Sequence, residues 1–290
     1  MIEQEFIGRL RALATHSAAR GLADDAAVLE VGGETLVLTQ DMMVEGVHTH
    51  AGADPADIAW KLVAANMSDL AAKGAEPLGV LLGHMLGEGD DRFVEGLDEA
   101  LEHFGVPLLG GDTVAGGPPR AWTLTAIGRA LHRPVPARSG AKAGDGVYVT
   151  GPVGAAMMGF EALRDGTDDD STAYRRPMAR LPQGQMLAPH VTAMMDISDG
   201  LLLDAWRMAS ASDATFALHS VAVPIATPHA RMADAMRWGD DYELLFTAPG
   251  TVLLPVKAWR IGAVQPLGNA PLLLDGEALT GPEGLGYLHR

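Results

Sequence analysis

Carboxylates set where the chain changes direction constrain this sequence more than any other feature. Asp24-Asp25, Asp41, Asp69, Asp112, Asp196 with Asp199, and Asp240-Asp241 each lie in or beside a segment rich in Gly, Ser or Thr. Several border runs of Val, Leu or Ile, and almost none has a Lys or Arg beside it in sequence. That pattern puts acids at strand ends and helix starts, where loops converge on a cleft. Carboxylates crowded together repel unless they hold protons or share cations. Mg²⁺ is a hard ion that takes oxygen ligands and usually sits among carboxylates and substrate phosphates. The chain is therefore expected to bring distant acids together around phosphate and magnesium.

The length of 290 residues matches two ordinary domains, and an apolar fraction of 48% supplies a sizeable core. A net charge of −16 with only four lysines argues against a nucleic-acid backbone or an anionic lipid surface as partner. The absence of cysteine excludes disulfides, thiolate nucleophiles and Cys-ligated zinc. The first residues, Met1-Ile2-Glu3-Gln4-Glu5-Phe6, start acidic, unlike a secretory signal, and no apolar run approaches a membrane span, so the expected location is the cytoplasm.

Periodicity predicts an amphipathic helix near residues 3–15, with Phe6, Ile7, Leu10 and Leu13 on one side. Strands Ala27–Val31 and Thr35–Thr39, separated by Gly32-Gly33, read as a hairpin. Asp54 as N-cap, Pro55 in the first turn and Gly74 as a stop delimit a helix to about Lys73, with Ile58, Leu62, Ala65 and Leu70 as its buried side. A strand at Leu78–Leu86 and a helix near 90–104 follow. Next come a strand at Val106–Leu109, a turn at Gly110-Gly111-Asp112-Thr113, and a strand at Trp122–Ala130. The proline-rich stretch 132–137 is the expected linker. Beyond it come a strand at Gly146–Thr150, a helix after Gly151-Pro152, a helix from Asp199-Gly200 to about Ala211, and a hairpin turn at Asp275-Gly276. The fold class is α/β (α+β), with domains expected at 1–136 and 137–290.

Several familiar schemes are absent. There is no Gly-Lys dipeptide, no Gly-x-Gly-x-x-Gly, no His-Glu-x-x-His and no Gly-x-Ser-x-Gly. Locally, each acid also has an ordinary reading. Asp24-Asp25 fits a solvated turn and Asp41 a polar strand end. Asp69 fits an i,i+4 pair with Lys73 as well as it fits a metal ligand. The glycines before Asp112 serve a plain turn or let a phosphate approach the backbone. Ser198 or Asp199 fits a helix cap, whereas Asp196 lies in an apolar run where an unpaired charge is costly. His48 reads as a capping residue or a phosphate contact, and Arg138 as a partner for phosphate or for a surface carboxylate. Asp240-Asp241 fits a charged strand entrance.

Taken in order, the segments Asp24–Leu29, Thr39–His48, Asn66–Ala75, Gly110–Thr113, Arg138–Asp145, Asp196–Leu201 and Asp240–Leu244 resemble the thiamine-monophosphate kinase family. That family belongs to the aminoimidazole ribonucleotide synthetase-like superfamily. The resemblance spans nearly the whole chain, and it is the set in register that is specific. It implies a two-domain fold and a homodimer whose N-terminal domains build a shared β-barrel. It also implies transfer of the γ-phosphoryl of ATP to thiamine monophosphate. By resemblance Asp25, Asp41, Asp69, Asp112 and Asp196 hold Mg²⁺ and Asp199 a further ion, with Thr39 and Gln40 contributing ligands. Asp41, Asp69 and Asp112 carry the catalysis. Gly111, Asp112, Arg138 and Ser198 contact ATP, and His48 and Asp240 the substrate. The sequence departs from the family pattern at Ala23 (usually Gly), Gln40 (usually Thr) and Asp240 (usually Glu). Two other readings are a relative that activates a carbonyl or amide oxygen with ATP, and a non-catalytic ATP–Mg²⁺ sensor.

Overall fold

The computed structural model describes residues 3–50 and 52–288. The first half contains α1 (Glu3–Arg11), β1 (Ala27–Val31), β2 (Glu34–Val44), α2 (Pro55–Ala72), β3 (Ala75–Leu86), α3 (Asp90–Phe104), β4 (Leu108–Ala115) and β5 (Ala121–Ala130). Its five strands form one sheet in the order β1-β2-β5-β3-β4. The second half contains β6 (Asp145–Val149), α4 (Ala155–Asp165), α5 (Thr172–Arg175), α6 (Leu181–Leu187), β7 (Ala193–Asp196) and α7 (Leu201–Ala211). It continues through β8 (Ala214–Leu218), α8 (Met232–Trp238), β9 (Leu244–Pro249), β10 (Trp259–Pro266), β11 (Leu272–Leu274) and β12 (Glu277–Leu279). These strands form a second sheet in the order β12-β11-β8-β10-β6-β9-β7. No helix among the described residues is long and apolar enough to cross a membrane.

Helix α2 starts as its sequence predicts. The Asp54 side chain accepts from the Ala56 N–H at 3.0 Å, and Pro55 fills the first turn. It ends at Lys73, with Gly74 at φ 59°. A one-sided apolar face was expected; instead nearly every residue of α2 is buried. The reason is that α2 packs on α3, on β2 and β5 of its own sheet, and on α6 and β7 of the second half. A helix enclosed on all sides needs no polar face. Its Lys61, Asn66, Ser68 and Lys73 are therefore polar groups inside the protein, and each needs a partner.

Three other expectations change. Strand β2 runs through Asp41 to Val44, so Asp41 lies inside the ladder, opposite Leu124. The Gly110–Thr113 segment is not a turn: it belongs to β4, which pairs in parallel with β3 at the sheet edge. There a Cβ on Gly111 would stand 1.9 Å from the Leu82 carbonyl oxygen, so the glycine permits close strand pairing. Helix α1 stops at Arg11, and both Phe6 and Leu13 are exposed. The hairpins follow their turn chemistry: Gly32-Gly33 and Asp275-Gly276 all have positive φ and join antiparallel strands through two residues.

The halves meet tightly where α6 crosses α2. A Cβ on Gly184 would lie 1.9 Å from the Ala71 carbonyl oxygen. Replacing Gly184→Ala should push α6 off α2 and destabilise the protein by about 1–3 kcal/mol. Thermal melting checks this, and an unchanged melting temperature would show that α6 shifts freely.

Candidate active site

Four acids from four elements converge. Asp25 precedes β1, Asp41 lies on β2, Asp69 on α2, and Asp196 ends β7. Carboxylate oxygens of Asp25, Asp69 and Asp196 all lie within 4.8 Å of one another. Thr39, two residues before Asp41 and therefore on the same face of β2, donates its hydroxyl to Asp69 and, at 3.2 Å, to the Asp25 carbonyl oxygen. Ser68 Oγ donates to Asp196 at 2.7 Å.

The cations that steady this cluster come from far away in sequence. Lys73 Nζ, fully buried, is 2.6 Å from Asp25 and also pairs with Asp24. Arg138 reaches the other Asp25 oxygen at 2.5 Å, and Arg20 pairs with Asp24. Lys73 therefore does not make the local pair with Asp69. Burial alone would raise the Asp25 carboxyl, but Arg138 and Lys73 outweigh it and hold Asp25 below the usual carboxylate range. The remaining acids lack such partners. Burial, reinforced by Asp25 and Asp199, pushes Asp41 up to about 6, and one of its oxygens is buried without a hydrogen bond. Burial together with Asp25 lifts Asp196 to about 8. Burial and the neighbouring Asp41, Asp196 and Asp25 raise Asp69 well above the carboxylate range. The cluster is thus short of positive charge. An octahedral Mg²⁺ shell is about 4.2 Å across. Three carboxylate oxygens gathered on that scale, beside an unpartnered oxygen of Asp41, suit a hard dication.

The cluster opens on one side into a cavity of about 370 Å³ lined by Asp25, Thr39, Asp41, Asp69, Arg138 and Ser198. A second cavity, about 430 Å³, has Asp41, Ser198 and Asp199 in its wall. Asp41 and Ser198 are common to both. The second cavity is otherwise aromatic, lined by Phe160, Tyr174, Trp238, Tyr242 and Tyr287, with His48, Lys61 and Asp240 as further polar groups. Phe160 lies 5.1 Å from Trp238 and meets Tyr174 edge-on at 5.3 Å. His48 Nδ1 accepts from the Val44 N–H at 3.1 Å. Asp240 receives Lys61 Nζ at 2.6 Å and the Tyr242 hydroxyl at 3.1 Å. Asp240 and Tyr242 both sit at positive φ, 56° and 50°, a strained loop of the kind found at ligand sites.

Neither Ser198 nor Asp199 caps α7. Gly200 occupies the cap position, and Asp204 in the first turn accepts the Ser198 and Asp199 N–H groups at 3.2 and 3.0 Å. Arg207 ties Asp204 to Asp199. Asp204 is fully buried, and burial, helped by Asp199, pushes its carboxyl up to about 7. It fixes the loop that presents Ser198 and Asp199.

Of the residues singled out from sequence, Asp25, Thr39, Asp41, Asp69, Asp196, Arg138, Ser198, Asp199, His48 and Asp240 gather around the two cavities. Gln40 only edges the first: it lies on the opposite face of β2, and its side chain accepts from Thr125 at 2.9 Å. Gly111 and Asp112 lie apart, on exposed β4. Asp41, Leu124, Leu82 and Gly111 share one rung of the sheet. Three strand spacings of about 4.8 Å therefore separate Asp41 from Gly111. Sequence reasoning missed Lys61, Asp204, Phe160, Tyr174 and Trp238, and gave Lys73 only a local pair with Asp69. A Lys set between Trp60 and Leu62 on the best-defined helix was the available signal for Lys61; the aromatics carry no short-range pattern.

Residues 23–130 match the family AIR synthase related protein, N-terminal domain, and residues 142–266 match AIR synthase related protein, C-terminal domain. The thiamine-monophosphate kinase of Escherichia coli strain K12 is 36% identical over 254 residues, covering 79% of this chain and 76% of that protein. The enzyme of that name from Halobacterium salinarum is 34% identical over 267 residues, covering 89% and 90%. A solved structure described as AaThiL complexed with AMPPCP and TMP superposes with a TM-score of 0.88 at 27% identity, covering 100% of this chain and 97% of that one. With the two-domain fold in place and the acids gathered between its halves, these matches establish that the chain belongs to the thiamine-monophosphate kinase family of AIR synthase related proteins.

Proposed function

We propose that this chain transfers the γ-phosphoryl of ATP to the phosphate of thiamine monophosphate, yielding thiamine diphosphate and ADP. The observation that carries this reading is the shared wall: Asp41 and Ser198 border both the acidic cavity and the aromatic one. A phosphate donor in the first and a phosphate acceptor in the second would meet there. The relative complexed with AMPPCP and TMP supports the same pairing of ligands.

The acceptor is a phosphate oxygen, largely ionised at neutral pH, so the site needs no strong general base. It needs alignment and relief of repulsion between two anions. Mg²⁺ held by Asp25, Asp69 and Asp196, with Asp41 beside them, would neutralise the charge of the transferring group. Arg138 offers a planar guanidinium at the nucleotide side, with Asp25 fixing its orientation. Ser198 and Asp199 are presented by the Asp204-held loop, with Asp199 at a further cation. His48 and Asp240 orient the thiamine end, and Phe160, Tyr174 and Trp238 enclose its rings. In this reading residues 1–136 supply dimerisation and most carboxylates, residues 137–290 complete the nucleotide and substrate sites, and the enzyme works in the cytoplasm.

Gly111 and Asp112 enter the reaction from a second copy of the chain. Strand β4 is exposed along its length, and Leu81, Leu108, Leu109 and Val114 present apolar surface at that edge. An open apolar edge invites pairing with another strand. Closure of two such sheets into a shared barrel would bring Asp112 to a partner's carboxylate cluster.

Purified protein with ATP, Mg²⁺ and thiamine monophosphate should form thiamine diphosphate and ADP in equal amounts. Release of inorganic phosphate instead would favour a carbonyl-activating relative, and ATP binding without turnover would favour a sensor. Asp69→Asn should lower kcat by about a hundredfold or more while the oligomer persists in size-exclusion chromatography. Asp112→Asn should be similarly impaired, yet mixing the two inactive variants should restore activity, because one site of each mixed dimer then carries both acids. No recovery on mixing would place Asp112 in its own protomer's site or outside the reaction.

The raised carboxyls give a pH signature. Burial pushes the carboxyls of Asp41, Asp196 and Asp204 up to about 6, 8 and 7 in the folded chain against 3.8 when unperturbed. An acid raised on folding binds its proton more tightly in the native state. Its stabilisation is complete below the unfolded value and is lost as pH climbs to the folded one. The metal-free melting temperature should fall between about pH 4 and pH 8, and Mg²⁺ should raise it more at the alkaline end. Titration calorimetry in buffers of different ionisation enthalpy should register proton release on Mg²⁺ binding, and its absence would mean these carboxyls are already ionised.

A further inference from the structure

Lys61 stands outside every role assigned so far, and its surroundings are specific. Its side chain is only 3% exposed, yet it lines the aromatic cavity and an adjoining one of about 290 Å³, where Tyr174 accompanies it. An ammonium has three donors. One reaches Asp240 Oδ2 at 2.6 Å and another the His48 carbonyl oxygen at 3.3 Å. The same nitrogen sits 3.9 Å from the centroid of the Tyr174 ring. A single buried charge thus holds two of the cavity's polar residues and one of its aromatic walls. The other Asp240 oxygen is taken by the Tyr242 hydroxyl, so both are directed, while the Asp240 side chain remains 30% exposed toward the cavity.

Lys61 also shares α2 with Asp69, eight residues further on. Two helical turns set them about 12 Å apart along a rigid rod. The helix that delivers a carboxylate to the cluster therefore also sets where His48 and Asp240 stand. We propose that Lys61 is the positioning residue of the acceptor site, fixing His48 and Asp240 at a set distance from the carboxylate cluster. This rests on the reading of the aromatic cavity as the thiamine monophosphate site. An ion pair serving only to join the two halves would not need to border the cavity or to hold the His48 carbonyl.

The experiment compares steady-state kinetics of Lys61→Met, Asp240→Asn and the double variant, with thiamine monophosphate binding followed separately by tryptophan fluorescence. Lys61→Met should raise KM for thiamine monophosphate about tenfold or more and leave KM for ATP within about threefold. Adding Lys61→Met to Asp240→Asn should worsen KM for thiamine monophosphate by much less than it does alone, because the anchored group is already altered. Unchanged KM values, equal changes for both substrates, or fully multiplicative losses would each overturn the proposal. If Lys61→Met fails to fold, Lys61→Arg keeps the charge but displaces it, and it must still raise KM for thiamine monophosphate selectively; unaltered kinetics there would also overturn the assignment. Failure of the wild-type protein to bind thiamine monophosphate would instead refute the reading of the cavity itself.

Discussion

Electrostatic balance at the carboxylate cluster is the constraint around which this fold is arranged. Acids brought from β2, α2, β7 and the segment before β1 cannot all be ionised in a space that excludes water unless positive charge is supplied. The protein supplies part of it. Of the four clustered acids only Asp25 receives Lys73 and Arg138, and it is held ionised while Asp41, Asp69 and Asp196 are driven toward their protonated forms. The deficit is localised, and a cation in solution can fill it. A cluster fully neutralised by its own arginines would be a structural ion-pair network; one with no internal cation would resist folding before the ion arrived.

This balance explains the unusual burial of α2. A helix carrying Ser68, Asp69 and Lys73 into the interior must be surrounded, and both halves of the chain do so. The second half contributes β7 and Asp196 on one side, and α6, with Gly184 against Ala71, on another. The two sheets are therefore tied through one helix and the polar groups it carries. Asp204, buried in the first turn of α7, performs a related task at smaller scale by holding the Ser198-Asp199 loop through its N–H groups.

Elements whose signals are local were legible in the sequence. The Asp54-Pro55 start and Gly74 stop of α2, the Gly32-Gly33 and Asp275-Gly276 hairpins, and the helix near 90–104 all rest on capping, turn or periodic chemistry within a few residues. The acids themselves were legible because their turn-like contexts recur. The pairings of the cations were not: Lys73 and Asp24 are 49 residues apart, and Arg138 and Asp25 are 113 apart, distances over which a sequence carries no pairing signal. The Gly-Gly-Asp-Thr segment was read as a turn because glycine usually marks one, whereas here the missing Cβ allows β4 to lie against Leu82. The family resemblance puts Gln40 among the ligands, but strand alternation turns its side chain to the other face of β2. Phe160, Tyr174 and Trp238 come from α4, α5 and α8, and only tertiary packing unites them.

The common wall formed by Asp41 and Ser198 also bears on inhibitor design. If donor and acceptor occupy the two cavities as proposed, ligands on either side of these shared residues can be joined by a short tether. Once one end is seated, the other is held at high effective concentration, so the linked compound gains avidity without any new contact, provided the tether spans the gap. Such a chimera would need a nucleotide-like end for the acidic chamber and a flat heteroaromatic end for the chamber of Phe160 and Trp238. Selectivity over ordinary nucleotide-binding enzymes would come from the second end.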